Sequence, residues 1–90
     1  MNHFYRNIEG LGNVALSRHA QRKAEEEGFN DAMVSDALNS PTAPDIPDGK
    51  NIVFRDRGRL RLVINLRPEP WSGACLVTTI IRIKPQESAR

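Results

Sequence analysis

Ninety residues at 39% hydrophobic composition give room for one small core and not two, because a chain of this size buries only about 60 to 65% of its unfolded surface. No apolar run approaches the roughly 20 residues that cross a bilayer, and Met1 to Ile8 is too polar for a secretion signal, so no membrane association and a cytoplasmic location are expected. The net charge of +2 conceals an uneven distribution: residues 1–49 carry 4 basic and 8 acidic side chains, residues 50–90 carry 9 and 3, and a basic half points to an anionic partner.

Residues 1–13 are broken by Gly10, Gly12 and Asn13 and read as an irregular arm, with His3, Phe4 and Tyr5 available to dock it. Val14 to Leu16 forms a short extended lead-in. Ser17 is placed to cap a helix over 18–27, and Gly28 offers the left-handed stop after Glu27. Asn30 caps a second helix over 31–38, in which Phe29, Met33, Val34, Ala37 and Leu38 form one apolar stripe. From Asn39 to Lys50, Pro41, Pro44 and Pro47 precede Asp48 and Gly49, a connector that is neither helix nor central strand. Asn51 to Arg55, Leu60 to Leu66 and Ala74 to Ile83 are rich in β-branched and aliphatic residues and read as three strands of an antiparallel meander.

The expected architecture is therefore a single α+β domain over 1–90. Two N-terminal helices (14–38) pack on an antiparallel sheet of three to four strands (51–84), the fourth being an edge strand near Val14, and 85–90 is a tail. Cys75 is the only cysteine, which excludes an internal disulfide, a cysteine-based zinc cluster and a CxxC redox site and predicts a reduced, buried thiol.

The register of the first strand pair bears on function. A two-residue loop at Arg57 and Gly58 would set Phe54 opposite Arg61 and mix core with solvent. A three-residue loop of Asp56, Arg57 and Gly58 sets Phe54 opposite Leu60 and Ile52 opposite Leu62. The second register gathers Arg55, Arg59 and Arg61 on the non-core face, a phosphate-facing patch of guanidinium forks. Exposed strand arginines also serve simply to discourage edge pairing.

Among groups that carry chemistry, His19 falls in the first turn of the first helix, with Arg22 and Lys23 three and four residues on along one face. The alternative for this cluster is a solvated helix surface. Trp71, in the loop Arg67 to Gly73, either stacks on a base or caps the core beneath the turn. Thr78 and Thr79 point to opposite faces of the last strand, so one hydroxyl is free to meet phosphate. No Gly-rich phosphate loop, HExxH, Ser-His-Asp arrangement or paired-carboxylate spacing occurs, and no cofactor or metal site is expected.

The run Ser17, Arg18, His19, Ala20, then Lys23, Gly28, Phe29, Val34 and Ala37-Leu38, resembles the opening of a small bacterial and phage domain family. That family's pattern is Ser-x-His-Ala, an arginine four residues after the histidine, an Arg-Gly-Ile turn and a Val-x-x-Ala-Leu helix. Leu60 to Leu66 and the Val77-Thr78 pair resemble its later strands, so the likeness runs from about Val14 to Lys84. Glu27 and Phe29 stand where the pattern has its second arginine and its isoleucine. The resemblance implies the two-helix-plus-sheet fold group of barnase, colicin nuclease domains and RelE-like messenger ribonucleases of toxin–antitoxin systems. It also implies a metal-independent endoribonuclease acting on single-stranded or ribosome-bound RNA, with His19, Lys23 and Thr78 as catalytic residues, to which the arginines of the strand pair, Arg55, Arg59 and Arg61, would add the phosphate clamp. A cognate antitoxin is the protein partner that such a toxin would have. The alternative is a non-catalytic module that binds nucleic acid or a protein.

Overall fold

The computed structural model describes residues 3–67 and 73–84. In chain order it contains β1 (Phe4–Ile8), β2 (Gly12–Leu16), α1 (Arg18–Glu27), α2 (Asp31–Asn39), β3 (Ile46–Pro47), β4 (Ile52–Arg57), β5 (Leu60–Asn65) and β6 (Cys75–Arg82). All the strands belong to one sheet in the order β1-β2-β6-β5-β4-β3. Every adjacent pair is antiparallel except β2 and β6, which run parallel.

This overturns the antiparallel sheet of three to four strands behind two N-terminal helices. The sheet is mixed and six-stranded, and the helices follow two N-terminal strands. The supposed arm is a hairpin: Gly10 and Gly12 adopt φ of 82° and 74°, and the Leu11 amide donates to the Ile8 carbonyl at 3.0 Å. Its strand period is hidden because Asn7, at φ 56°, lies in a register shift between Tyr5 and Ile8. Both of those residues consequently face inward and are buried. The lead-in near Val14 is an interior strand, with Val14, Ala15 and Leu16 opposite Cys75, Leu76 and Val77. Parallel partners so distant in sequence need a crossover and leave no local turn signature.

The helices form where their caps direct. The Ser17 hydroxyl accepts from the Ala20 amide at 3.0 Å and donates to the Thr78 carbonyl at 3.0 Å, so one side chain both starts α1 and pins it to β6. Gly28, at φ 79°, ends α1, and Asn30 caps α2 through the Met33 amide at 2.9 Å. Both helices cover the same face of the sheet. Ala20, Ala24, Phe29, Val34, Ala37 and Leu38 pack there against Val14, Leu16, Leu62, Ile64, Val77 and Ile80. Cys75 joins this core as a buried thiol, with burial pushing its pKa up.

The first strand pair adopts neither register considered above. Arg57 faces Leu60 across a two-residue turn at Gly58 and Arg59, so Phe54 lies opposite Val63, Arg55 opposite Leu62 and Asp56 opposite Arg61. Gly58, at φ 61°, supplies the positive φ that a type II′ turn asks of its first central residue. This pairing joins opposite charges at Asp56 and Arg61, where the three-residue loop would have set arginine against arginine.

Candidate nucleic-acid interface

The register disperses the predicted arginine patch. Arg55 lies on the helix-covered face and is 7% exposed. Its Nε and Nη2 donate to the Asp45 carboxylate at 2.9 and 2.8 Å, and its Nη1 donates to the carbonyls of Leu38 at 2.9 Å and Glu9 at 3.3 Å. The group is a staple joining the β1–β2 turn, the end of α2 and the connector. Arg61 is on the opposite face, where Nε and Nη2 both donate to Asp56 at 2.8 Å and the guanidinium lies 4.6 Å from the Phe54 ring centre. Hydrogen bonding to Asp56 raises its pKa further. Arg59 occupies the turn, and among the described residues its side chain makes no hydrogen bond or ion pair.

His19 is exposed on the first turn of α1. Lys23 is held between Glu26 and Glu27 at 3.7 and 3.8 Å. Thr78 is the extra residue of a bulge, since Val63 pairs with Thr79 and Ile64 with Val77, and its hydroxyl donates to the Val63 carbonyl at 3.3 Å. The fold thus brings Thr78 to the start of α1, beside Ser17, but sends the arginines elsewhere. Trp71 lies outside the described residues.

A different basic site is assembled at the far end of α1. A cleft of about 400 Å³ opens between the α1–α2 junction and the β4–β5 turn, lined by Phe29, Met33, Asp36, Leu60 and three arginines, Arg57, Arg59 and Arg82. Arg57 donates to the Ser40 carbonyl at 2.7 Å. Arg82 donates through Nε to Glu27 at 2.9 Å and through Nη2 to the Glu27 carbonyl, and lies 5.1 Å from the Phe29 ring centre. Each of these two guanidinium groups is oriented by its contacts yet remains on an exposed residue. Met33 is 46% exposed at the rim. Such a site offers cationic forks around an apolar wall, the combination that meets phosphate with its charges and a base or other flat apolar group with its surface.

Arg57 and Arg82 were missed by sequence reasoning. The signal for both was the inward alternation of Leu60, Leu62 and Ile64. With Leu60 inward, a two-residue turn at Gly58 and Arg59 sets Arg57 opposite it on the helix-side edge, and Arg82 follows by pairing with Leu60 across β6.

No family model, curated protein or solved structure matches the chain. No helix among the described residues is long and apolar enough to cross a membrane.

Proposed function

We propose that the protein is a binding module for single-stranded nucleic acid, with the Arg57–Arg59–Arg82 cleft as its phosphate-contacting surface. The observation that carries this reading is the convergence of three guanidinium groups from two strands and a turn on one apolar-walled cleft. Arg59, without an internal partner among the described residues, is the natural first contact. The ribonuclease alternative needs His19 beside its electrostatic clamp. His19 and Glu27, which holds Arg82, are eight residues apart on α1, about 12 Å of axial rise. Binding without cleavage is therefore the function this geometry supports best.

Fluorescence anisotropy with a short single-stranded RNA should give an affinity that falls with salt, with a log–log slope of about −2 for three phosphate contacts. Arg59→Ser should reduce that slope by about 0.7, one contact, while Arg55→Met leaves it unchanged. Absence of binding at low salt would overturn the proposal. Cleavage of RNA in EDTA that disappears in His19→Ala would replace it with the ribonuclease reading.

A further inference from the structure

The second face of the sheet carries a different kind of surface. Strand alternation and register place Phe4, Ala15, Leu76, Val63, Phe54 and Ile46 together on the side away from the helices. None of the six belongs to the core cluster, and all are half-buried. An antiparallel ladder with one solvated face ordinarily turns polar residues outward, whereas this face carries two largely apolar rows, Phe4, Ala15, Leu76 and Ile52 broken by Asn65, and Val63, Phe54 and Ile46 ending at Thr79. Contiguous apolar surface of this sort marks an interaction site.

The pattern on the band specifies its occupant. Its β1 end carries a cation, Arg6, which lies 5.9 Å from the Phe4 ring centre. Its opposite end carries Asp48, two residues after the outward-facing Ile46 and close enough to Arg61 to interact with it electrostatically. The face is thus basic at one edge and acidic at the other. A two-fold axis lying in the face and running along the strands sets β1 of one molecule over β3 of another. By the register, Arg6 then falls within about two residues, roughly 7 Å, of the partner's Asp48 position. The same operation lays Ala15 over the partner's Ile52, an apolar contact repeated at the symmetry-related place. Six strands about 4.8 Å apart and about 20 Å long present roughly 500 to 600 Å² per molecule, near the lower bound of area for a specific interface. Opposite charges, apolar contact and area together fit an isologous contact.

We propose that the protein forms a two-fold dimer through the open face of its sheet, with Leu76 and Val63 at its centre, Ala15 against Ile52 to either side, and Arg6 facing Asp48 at its two ends. The contact leaves the arginine cleft on the outer, helix side of each molecule. It is independent of the binding function proposed above, and its failure would not touch that reading.

Sedimentation equilibrium of the full chain should show a monomer–dimer equilibrium. Each dimer has two Arg6–Asp48 contacts, so Arg6→Glu alone and Asp48→Lys alone should each weaken association by about tenfold or more. Combining them restores the attraction with its signs exchanged and should recover most of the loss. Both positions are exposed, so the fold is kept, as circular dichroism would verify. A wild-type chain that stays monomeric at several hundred micromolar overturns the proposal. So does a dimer in which the double charge exchange is no tighter than the single variants, since the second copy would then be seated elsewhere.

Discussion

The residue that most changes meaning between sequence and structure is Arg55. In the sequence it is one of several strand arginines that suit a phosphate. In the structure it is buried, and four of its five N–H donors are engaged by Asp45 and two carbonyls. Burying a cation costs much free energy unless its donors are met by acceptors. Here they are supplied by three segments that are separate in the sequence: the β1–β2 turn, the end of α2 and the connector. Arg55→Ala should lose about 2 to 4 kcal/mol of stability, because it strands the Leu38 carbonyl and uncouples Asp45, which is only partly screened by water. Urea unfolding measures this, and a loss below about 0.5 kcal/mol would mean the staple carries little of the fold. A neighbouring arginine has the opposite fate for a geometric reason. One residue along a strand reverses the face, so Asp56 and Arg61 pair on the open side while Arg55 is drawn inward.

At the level of elements, the helices were legible and the sheet only in part. Helix ends are written locally: Ser17, Gly28 and Asn30 each act through a bond to a residue three or four positions away, which is the range over which sequence patterns carry information. The three C-terminal strands were also placed within a few residues of their ends. Their register was not, because a II′ turn beginning at Gly58 and a three-residue loop ending there use the same glycine yet move the partner of Phe54 from Leu60 to Val63, an odd shift that changes the face it shares. The opposite charges of Asp56 and Arg61 would have decided between them. The candidate site inherited the error, since Arg57 and Arg82 join the cleft only in the observed register. The cap with the largest structural reach is Ser17, which serves α1 and the Thr78 bulge together. Ser17→Ala should therefore cost about 1 to 2 kcal/mol, the upper part of the range for cap removal. Ser17→Asp should recover only the cap, because a carboxylate cannot donate to the Thr78 carbonyl. Thermal unfolding of the three proteins checks the order wild type, Asp, Ala. Equal stability for wild type and Asp would show that the bond to β6 contributes nothing.

At the scale of the whole molecule, the charge asymmetry of the sequence is partly a folding complement. Glu27 and Asp45 of the acidic half pair with Arg82 and Arg55 of the basic half, so part of the basic charge is compensated internally and Arg59, unpaired among the described residues, is the cation of the cleft left least compensated. The N-terminal hairpin could not be foreseen for a related reason. Its place depends on the parallel contact of β2 with β6, between segments at opposite ends of the chain, and no local pattern encodes such a meeting. Tyr5 reports on whether the hairpin is docked. It is the only tyrosine, it is buried in the core, and desolvation, with a further contribution from the Asp31 carboxylate, pushes its pKa from 10.0 up to about 12. The folded state therefore keeps the phenol proton at a pH where the unfolded chain has released it. A phenol with a raised folded-state pKa leaves stability intact below pH 10, and stability is then lost as pH rises toward about 12. Urea midpoints should accordingly fall between pH 9 and pH 11.5 in the wild type, and less so in Tyr5→Phe, which has no phenol to ionise. Tyrosinate absorbance should appear near pH 12 in the native protein and near pH 10 in urea. A native titration near pH 10 would place Tyr5 in water and detach the hairpin, and with it β1 from the edge of the sheet.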